Sequence, residues 1–245
     1  MPTLLDAIIV VCGAFAGGFV SGLAGFGTGL VALGFWLHAV PPLLAAPLVA
    51  VCSVAAQAQT MPMIWHAVDR RRLWPILAAG LCGMPIGVYL LGRIDPDSFR
   101  LALGLFLIAF AVFMLIFQGM SPILWGGRLA DAAIGFLGGI LGGLAGLSGP
   151  LPTIWATIRG WTKDQRRSVF QTFNFTVLAA VVLWYFLSNG LATKFGWLMA
   201  FALPGTFAGA WVGSHTYLRL SDKRFNEIVL TLLGISGLTL VWAGI

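Results

Sequence analysis

Gly17-Gly18-Phe19-Val20-Ser21-Gly22-Leu23-Ala24-Gly25-Phe26-Gly27-Thr28-Gly29 is the stretch on which the fold turns. It lies inside a long apolar run, because residues 7–68 contain no Asp, Glu, Lys or Arg. Yet Gly25-Phe26-Gly27-Thr28-Gly29 is a poor helix interior, each Gly costing about 1 kcal/mol relative to Ala. A second copy follows as Gly138-Gly139-Ile140-Leu141-Gly142-Gly143-Leu144-Ala145-Gly146-Leu147-Ser148-Gly149-Pro150. A shift of 121 residues lays Phe15–Leu30 on Phe136–Leu151 with eight identities in sixteen positions, and 121 is half of the 245-residue chain. Gly, Leu and Ala are common here, so composition alone could produce a short match. Both breaks fall inside it, however, which argues for an internal duplication, a common transporter plan.

The rest of the chain says what kind of molecule carries these breaks. Apolar residues make up 59% of it and charged residues 9%, against about 25% charged in an ordinary soluble domain. Mean hydropathy is +0.96. So few charges cannot coat a soluble fold, and the chain reads as an all-α polytopic membrane protein. A disordered chain and a disulfide scaffold are excluded. The net charge of +6 does not imply nucleic acid, because the charges lie in short clusters between apolar runs, where topology signals belong. Cys12, Cys52 and Cys82 form no CxxC pair and are expected to be buried, reduced thiols. The start of the chain has no basic region, so Ala14-Phe15-Ala16 is not expected to be a cleavage site and the first segment is expected to stay in the membrane.

A crossing helix needs about 20 apolar residues. The charge-free runs then give two repeats in one integral membrane domain, with eight hydrophobic segments in all. Repeat 1–122 holds a broken segment at 4–37 and helices at 43–66, 73–92 and 98–118. Repeat 123–245 holds a broken segment at 128–158 and helices at 167–188, 195–214 and 225–244. Between the halves, Gly83-xxx-Gly87 is matched with Gly205-xxx-Gly209, and Asp95-Pro96-Asp97-Ser98-Phe99 with Ser221-Asp222-Lys223-Arg224-Phe225.

Charge bias selects between two topologies. If each broken segment crosses once, the halves are parallel and Lys and Arg divide nine to five. If each dips in and returns, the halves are inverted. One face then collects Arg70, Arg71, Arg72, Arg128, Arg159, Lys163, Arg166, Arg167, Arg219, Lys223 and Arg224, leaving Arg93, Arg100 and Lys194 on the other. The inverted plan gives the clearer positive-inside signal. It puts Trp65, Trp74, Trp125 and Trp161 near the inner boundary and Trp36, Trp184, Trp197 and Trp242 near the outer one.

Irregular backbone in a bilayer must be buried in protein or line a wet cavity. Two breaks facing each other would make a midplane site, with short helices starting after Gly27-Thr28-Gly29 and Ser148-Gly149-Pro150. Their free N–H groups and positive helix ends would attract an anion without a fixed cation. The expected substrate-binding residues are Gly25, Gly27, Thr28, Gly29, Gly146, Ser148, Gly149 and Pro150. Gln171 and Asn174, three apart on one helix face, join them, as do Ser53 and Gln57 on the matching helix of the first half. The same glycines could instead serve tight helix packing, and the amides could glue helices together. No catalytic constellation, metal site or cofactor motif is present, which removes hydrolytic and redox chemistry. No acidic or basic residue lies centrally in a span, which weakens a proton relay.

The two glycine-rich stretches resemble those near the start of each half in the sulfite exporter TauE/SafE family, and segment number and length agree over essentially the whole chain. Thr28 and Ser148 stand where runs of Gly are common in that family. The resemblance implies a secondary carrier of a sulfur-containing anion, sulfite or an organosulfonate, in the cell inner membrane, working in the direction of export. An anion channel and a non-transporting scaffold or accessory subunit are the competing readings. Expected partners are the small anion and the lipid bilayer, with no nucleic acid; self-association into a homo-oligomer stays open.

Overall fold

A computed structural model describes residues 4–63, 68–116, 126–161, 163–188, 195–217, 231, 234 and 237–242. All regular structure among them is helical: α1 (Leu4–Ala24), α2 (Thr28–Trp36), α3 (Pro42–Thr60), α4 (Arg70–Leu91), α5 (Pro96–Ile116), α6 (Gly127–Ala145), α7 (Pro150–Ile158), α8 (Lys163–Leu187) and α9 (Gly196–Tyr217). Six are long and apolar enough to cross a membrane: α1, α3, α4, α5, α6 and Arg167–Leu187 of α8. Lys194, Arg219, Lys223, Arg224, Trp65, Trp125 and most of segment 225–244 lie outside the described residues, as do the side chains of Lys163 and Arg166.

Glycine conformation explains both breaks. After α1 the backbone turns through Gly25 (φ 79°) and Gly27 (φ 104°), a region that side chains disfavour. Helix α6 ends with Gly146 (φ 69°), whose N–H reaches the Gly142 carbonyl at 2.9 Å while Leu147 N–H reaches that of Leu141 at 3.1 Å. This paired closure satisfies two terminal carbonyls. Each short helix then folds back along its long neighbour. Gly17 of α1 faces the Thr28 carbonyl and Gly13 faces the Trp36 ring, and Trp36 Nε1 donates to the Val10 carbonyl at 3.0 Å. In the second half Gly138 of α6 faces the Ser148 carbonyl and Pro152, and Trp155 Nε1 donates to Asp131 at 2.7 Å. Trp36 is fully buried inside its hairpin. The cysteines differ from expectation, since Cys52 is buried but Cys12 and Cys82 are exposed.

The halves are joined by exchanged partners. Helix α1 packs along α9, and α4 along α6. Both pairs are parallel: Val11 lies by Gly205 and Phe19 by Gly213, while Ile76 lies by Gly135 and Met84 by Gly143. The contacts are backbone to backbone. The α carbons of Gly83 and Gly87 meet the carbonyls of Phe136 and Ile140, and those of Gly209 and Gly213 meet the carbonyls of Phe15 and Phe19. Such approaches suit weak Cα–H···O bonds and the close packing that replaces the hydrophobic effect in lipid. Under the 121-residue shift, Gly83 thus meets α6 where Gly209 meets α1, and Gly87 where Gly213 does, one helical turn beyond the pairing with Gly205 and Gly209 read from the sequence. Helical residues 237–242 pack on α5 through Gly104 and Gly237.

The two ends of the bundle differ in charge. At one, Asp69 caps α4 by accepting from the N–H groups of Arg71 and Arg72. Arg72 pairs with Asp69 at 3.2 Å, donates to Gln165 at 3.0 Å and lies 4.9 Å from the Trp161 ring centroid. The start of α4 thus sits beside the start of α8. At the other end Asp95 accepts from Ser98 N–H at 2.9 Å, a bond that holds its carboxyl below the usual carboxylate range. Arg100 Nε there donates to the Leu37 carbonyl at 3.1 Å, joining the start of α5 to the end of α2.

Candidate functional site

The two breaks meet. A methyl group placed on Gly29 would stand 2.8 Å from side-chain atoms of Leu147 and Val49 and 3.3 Å from the Gly146 carbonyl oxygen. Phe26, between the two positive-φ glycines, lies over Gly149, where an added methyl would fall 2.9–3.1 Å from its atoms. Gly146 itself packs against Val49 of α3. Gly29, Gly146 and Gly149 therefore converge, and Pro150 is buried at the first turn of α7. Gly27 is turned toward Val20 of its own hairpin rather than across the junction.

Around this junction the polar residues of α3 and α8 are collected. Ser148 Oγ bonds Asn174 Oδ1, so the second break is tied to α8. Three residues earlier on α8, Gln171 Nε2 donates to Thr60 Oγ1 of α3 at 2.7 Å, and an added methyl on Gly25 would stand 2.9 Å from Gln171 Oε1. Gln57, one turn before Thr60, is fully buried with both amide atoms free of hydrogen-bond partners. Thr28 Oγ1 is likewise buried and unbonded, at the start of α2, whose N-terminus has no side-chain cap. Ser53 is buried one turn before Gln57. A buried polar atom left unpaired costs about 1–3 kcal/mol; besides Gln57 and Thr28, Gln171 Oε1, Ser21 Oγ and Thr206 Oγ1 are buried without a hydrogen-bond partner.

Sequence reasoning missed three members of this group. Thr60 had no distinguishing pattern. Phe26 entered only as a member of the first glycine-rich stretch. Arg167 was counted only among the charges of one face, at the first position of the helix read over 167–188. Helix α8 starts at Lys163 and carries Arg167 inside, 9% exposed, with Nη2 3.4 Å from the Gly22 carbonyl and its Cγ against Gly25. The spacing of Arg167, Gln171 and Asn174, four then three, was the available signal for a shared helix face. A guanidinium therefore stands one turn from Gln171. Its place at the C-terminal end of α1 is favourable, since that end of a helix is negative.

These parts give hydroxyl and amide donors, an uncapped helix start and one cation, around glycines that admit close approach. They supply no nucleophile–base pair. A family model described as sulfite exporter TauE/SafE matches residues 9–240, nearly the whole chain. No curated protein and no solved structure matches it.

Proposed function

The chain belongs to the sulfite exporter TauE/SafE family, a family of membrane transporters rather than enzymes, and from that membership we propose that it exports a small sulfur-containing anion, sulfite or an organosulfonate, across the inner membrane. The anion is bound where the two glycine-rich breaks meet. The observation that carries this assignment is the presence of buried, unbonded donors on two of its elements, Thr28 Oγ at the uncapped start of α2 and Gln57 Nε2 on α3, one turn from Thr60. Neutral donors and a helix start suit a small oxyanion. Arg167 supplies charge at the approach from the arginine-rich end, and Ser148 with Asn174 holds the second break in place.

The halves are inverted repeats in this reading. Its support is the return of α2 along α1 and of α7 along α6, together with the contact of Arg72 with Trp161, which a parallel plan would put on opposite faces. The arginine-rich end is cytoplasmic by the positive-inside bias. An inside-negative potential then drives a monoanion outward by about 2.3 kcal/mol per 100 mV, so export needs no ionisable coupling group. Phe26 across Gly149 and Leu147 across Gly29 close the junction with side chains, which favours a carrier that opens each side in turn over a standing pore.

The test is efflux of sulfite and a panel of organosulfonates from proteoliposomes under an imposed inside-negative potential. Saturable, potential-dependent efflux with counterflow is expected, and Gly149→Val should abolish it while the protein still inserts. Unitary conductance steps would make the protein a channel. Absence of flux for every anion, from folded protein, would leave a scaffold.

A further inference from the structure

We propose that the arginine groove at the paired starts of α4 and α6 is a binding site for the headgroup of an anionic phospholipid. Arg70, Arg71, Trp74, Pro75 and Arg128 line it. The two helices are parallel and touch along their glycines, so both start at the same groove, α4 capped by Asp69 and α6 without a side-chain cap. Its charge is uncompensated: among the described residues Arg70, Arg71 and Arg128 enter no ion pair. The neighbouring carboxylate of Asp69 is spent on Arg72 and on capping α4. Arg72 itself is turned toward Gln165 and Trp161. Guanidinium groups match phosphate oxygens in a two-point geometry.

The surroundings select a lipid over a soluble phosphate. Trp74 is 63% exposed and Leu129, next to Arg128, is 84% exposed. Below Trp74 the outward side of α4 continues as Ala78, Cys82, Ile86 and Tyr89, all exposed. Charge at the helix starts thus passes into an exposed apolar strip along α4, with an indole at the boundary, where aromatic side chains favour the membrane interface. Basic clusters of this kind at the cytoplasmic side attract anionic headgroups. The site is separate from the junction of the breaks and does not depend on which anion is carried.

The experiment is mass spectrometry of lipid retained by the detergent-purified full chain, offered phosphatidylglycerol and phosphatidylcholine in equal amounts. The wild type should retain phosphatidylglycerol preferentially. Arg71→Gln combined with Arg128→Gln should weaken that retention about fivefold per arginine, hence about 25-fold, whereas Arg93→Gln at the opposite end should leave it unchanged. Equal retention of the two lipids, or unaltered retention in the double variant, overturns the proposal. So does displacement of phosphatidylglycerol by equimolar inorganic phosphate, which would make this a soluble-anion site. Should the double variant not fold, a photoreactive phosphatidylglycerol on the wild type decides: labelling within residues 70–75 and 127–129 supports the site, and labelling confined elsewhere removes it.

Discussion

At the scale of single residues, Arg167 separates a positioned cation from a loop charge. If its guanidinium serves the anion, Arg167→Gln should raise the KM for efflux at least tenfold with the protein still inserted, and Arg167→Lys should recover part of the loss. Equal KM values in the proteoliposome assay would return Arg167 to a purely structural role. The two hairpin tryptophans allow a sharper comparison. Trp36→Phe removes a bond to a backbone carbonyl, worth about 1 kcal/mol, while Trp155→Phe removes one to the Asp131 carboxylate, worth about 1.5–3 kcal/mol when the acceptor is ionised. Denaturation in detergent should therefore find the Trp155 variant the weaker. Neither tryptophan bond was legible in the sequence, because a lone Trp near a span boundary reads equally well as an interface anchor. The glycine breaks were legible, because five residues with three Gly in an apolar run contradict the helix around them.

At the scale of elements, the seams between α4 and α6 and between α1 and α9 are held by small residues without intervening side chains. Gly87→Ala sets a methyl against the Ile140 carbonyl, and backbone cannot move aside as a flexible side chain would. Overpacking of this kind costs about 1–3 kcal/mol, and thermal unfolding in detergent should register it. Gly196→Ala, where nothing stands within 4 Å of the added methyl, should leave the midpoint unchanged or raised. The sequence matched Gly83 and Gly87 with Gly205 and Gly209, one turn away from the glycines that make the equivalent contacts. A stripe of glycines every fourth residue looks the same after a shift of four, and only the partner carbonyls fix the register. Prolines gave a similar ambiguity. Pro41 and Pro42 do precede and begin α3, but Pro47, Pro75, Pro85 and Pro204 sit inside helices, where neighbouring helices and local adjustments re-satisfy the freed carbonyls.

At the scale of the whole molecule, orientation in the membrane is open to a direct measurement. Cys12, Cys52 and Cys82 would first be replaced by Ala, then Arg93→Cys and Arg159→Cys introduced singly and challenged with an impermeant thiol reagent from each side. Inverted halves put positions 93 and 159 on opposite faces, parallel halves on the same face. Labelling of both from one side would reject the inverted plan and with it the assignment of a cytoplasmic arginine end. The membrane character of the chain followed from composition alone, since no arrangement of so few charges could cover a soluble surface. Which helices become partners did not, because pattern within a segment carries no information about a segment half a chain away.

The exchange of partners between the halves also has a consequence for biogenesis. Helix α1 ends at Ala24, but the surface it packs against does not begin until Gly196, and α4 waits in the same way for α6. While the ribosome is still translating, the first half must sit in the bilayer with two glycine-lined faces exposed to lipid or to the insertion machinery. The protein is therefore assembled late and all together, and two separately encoded halves should mature only when they are made in the same membrane.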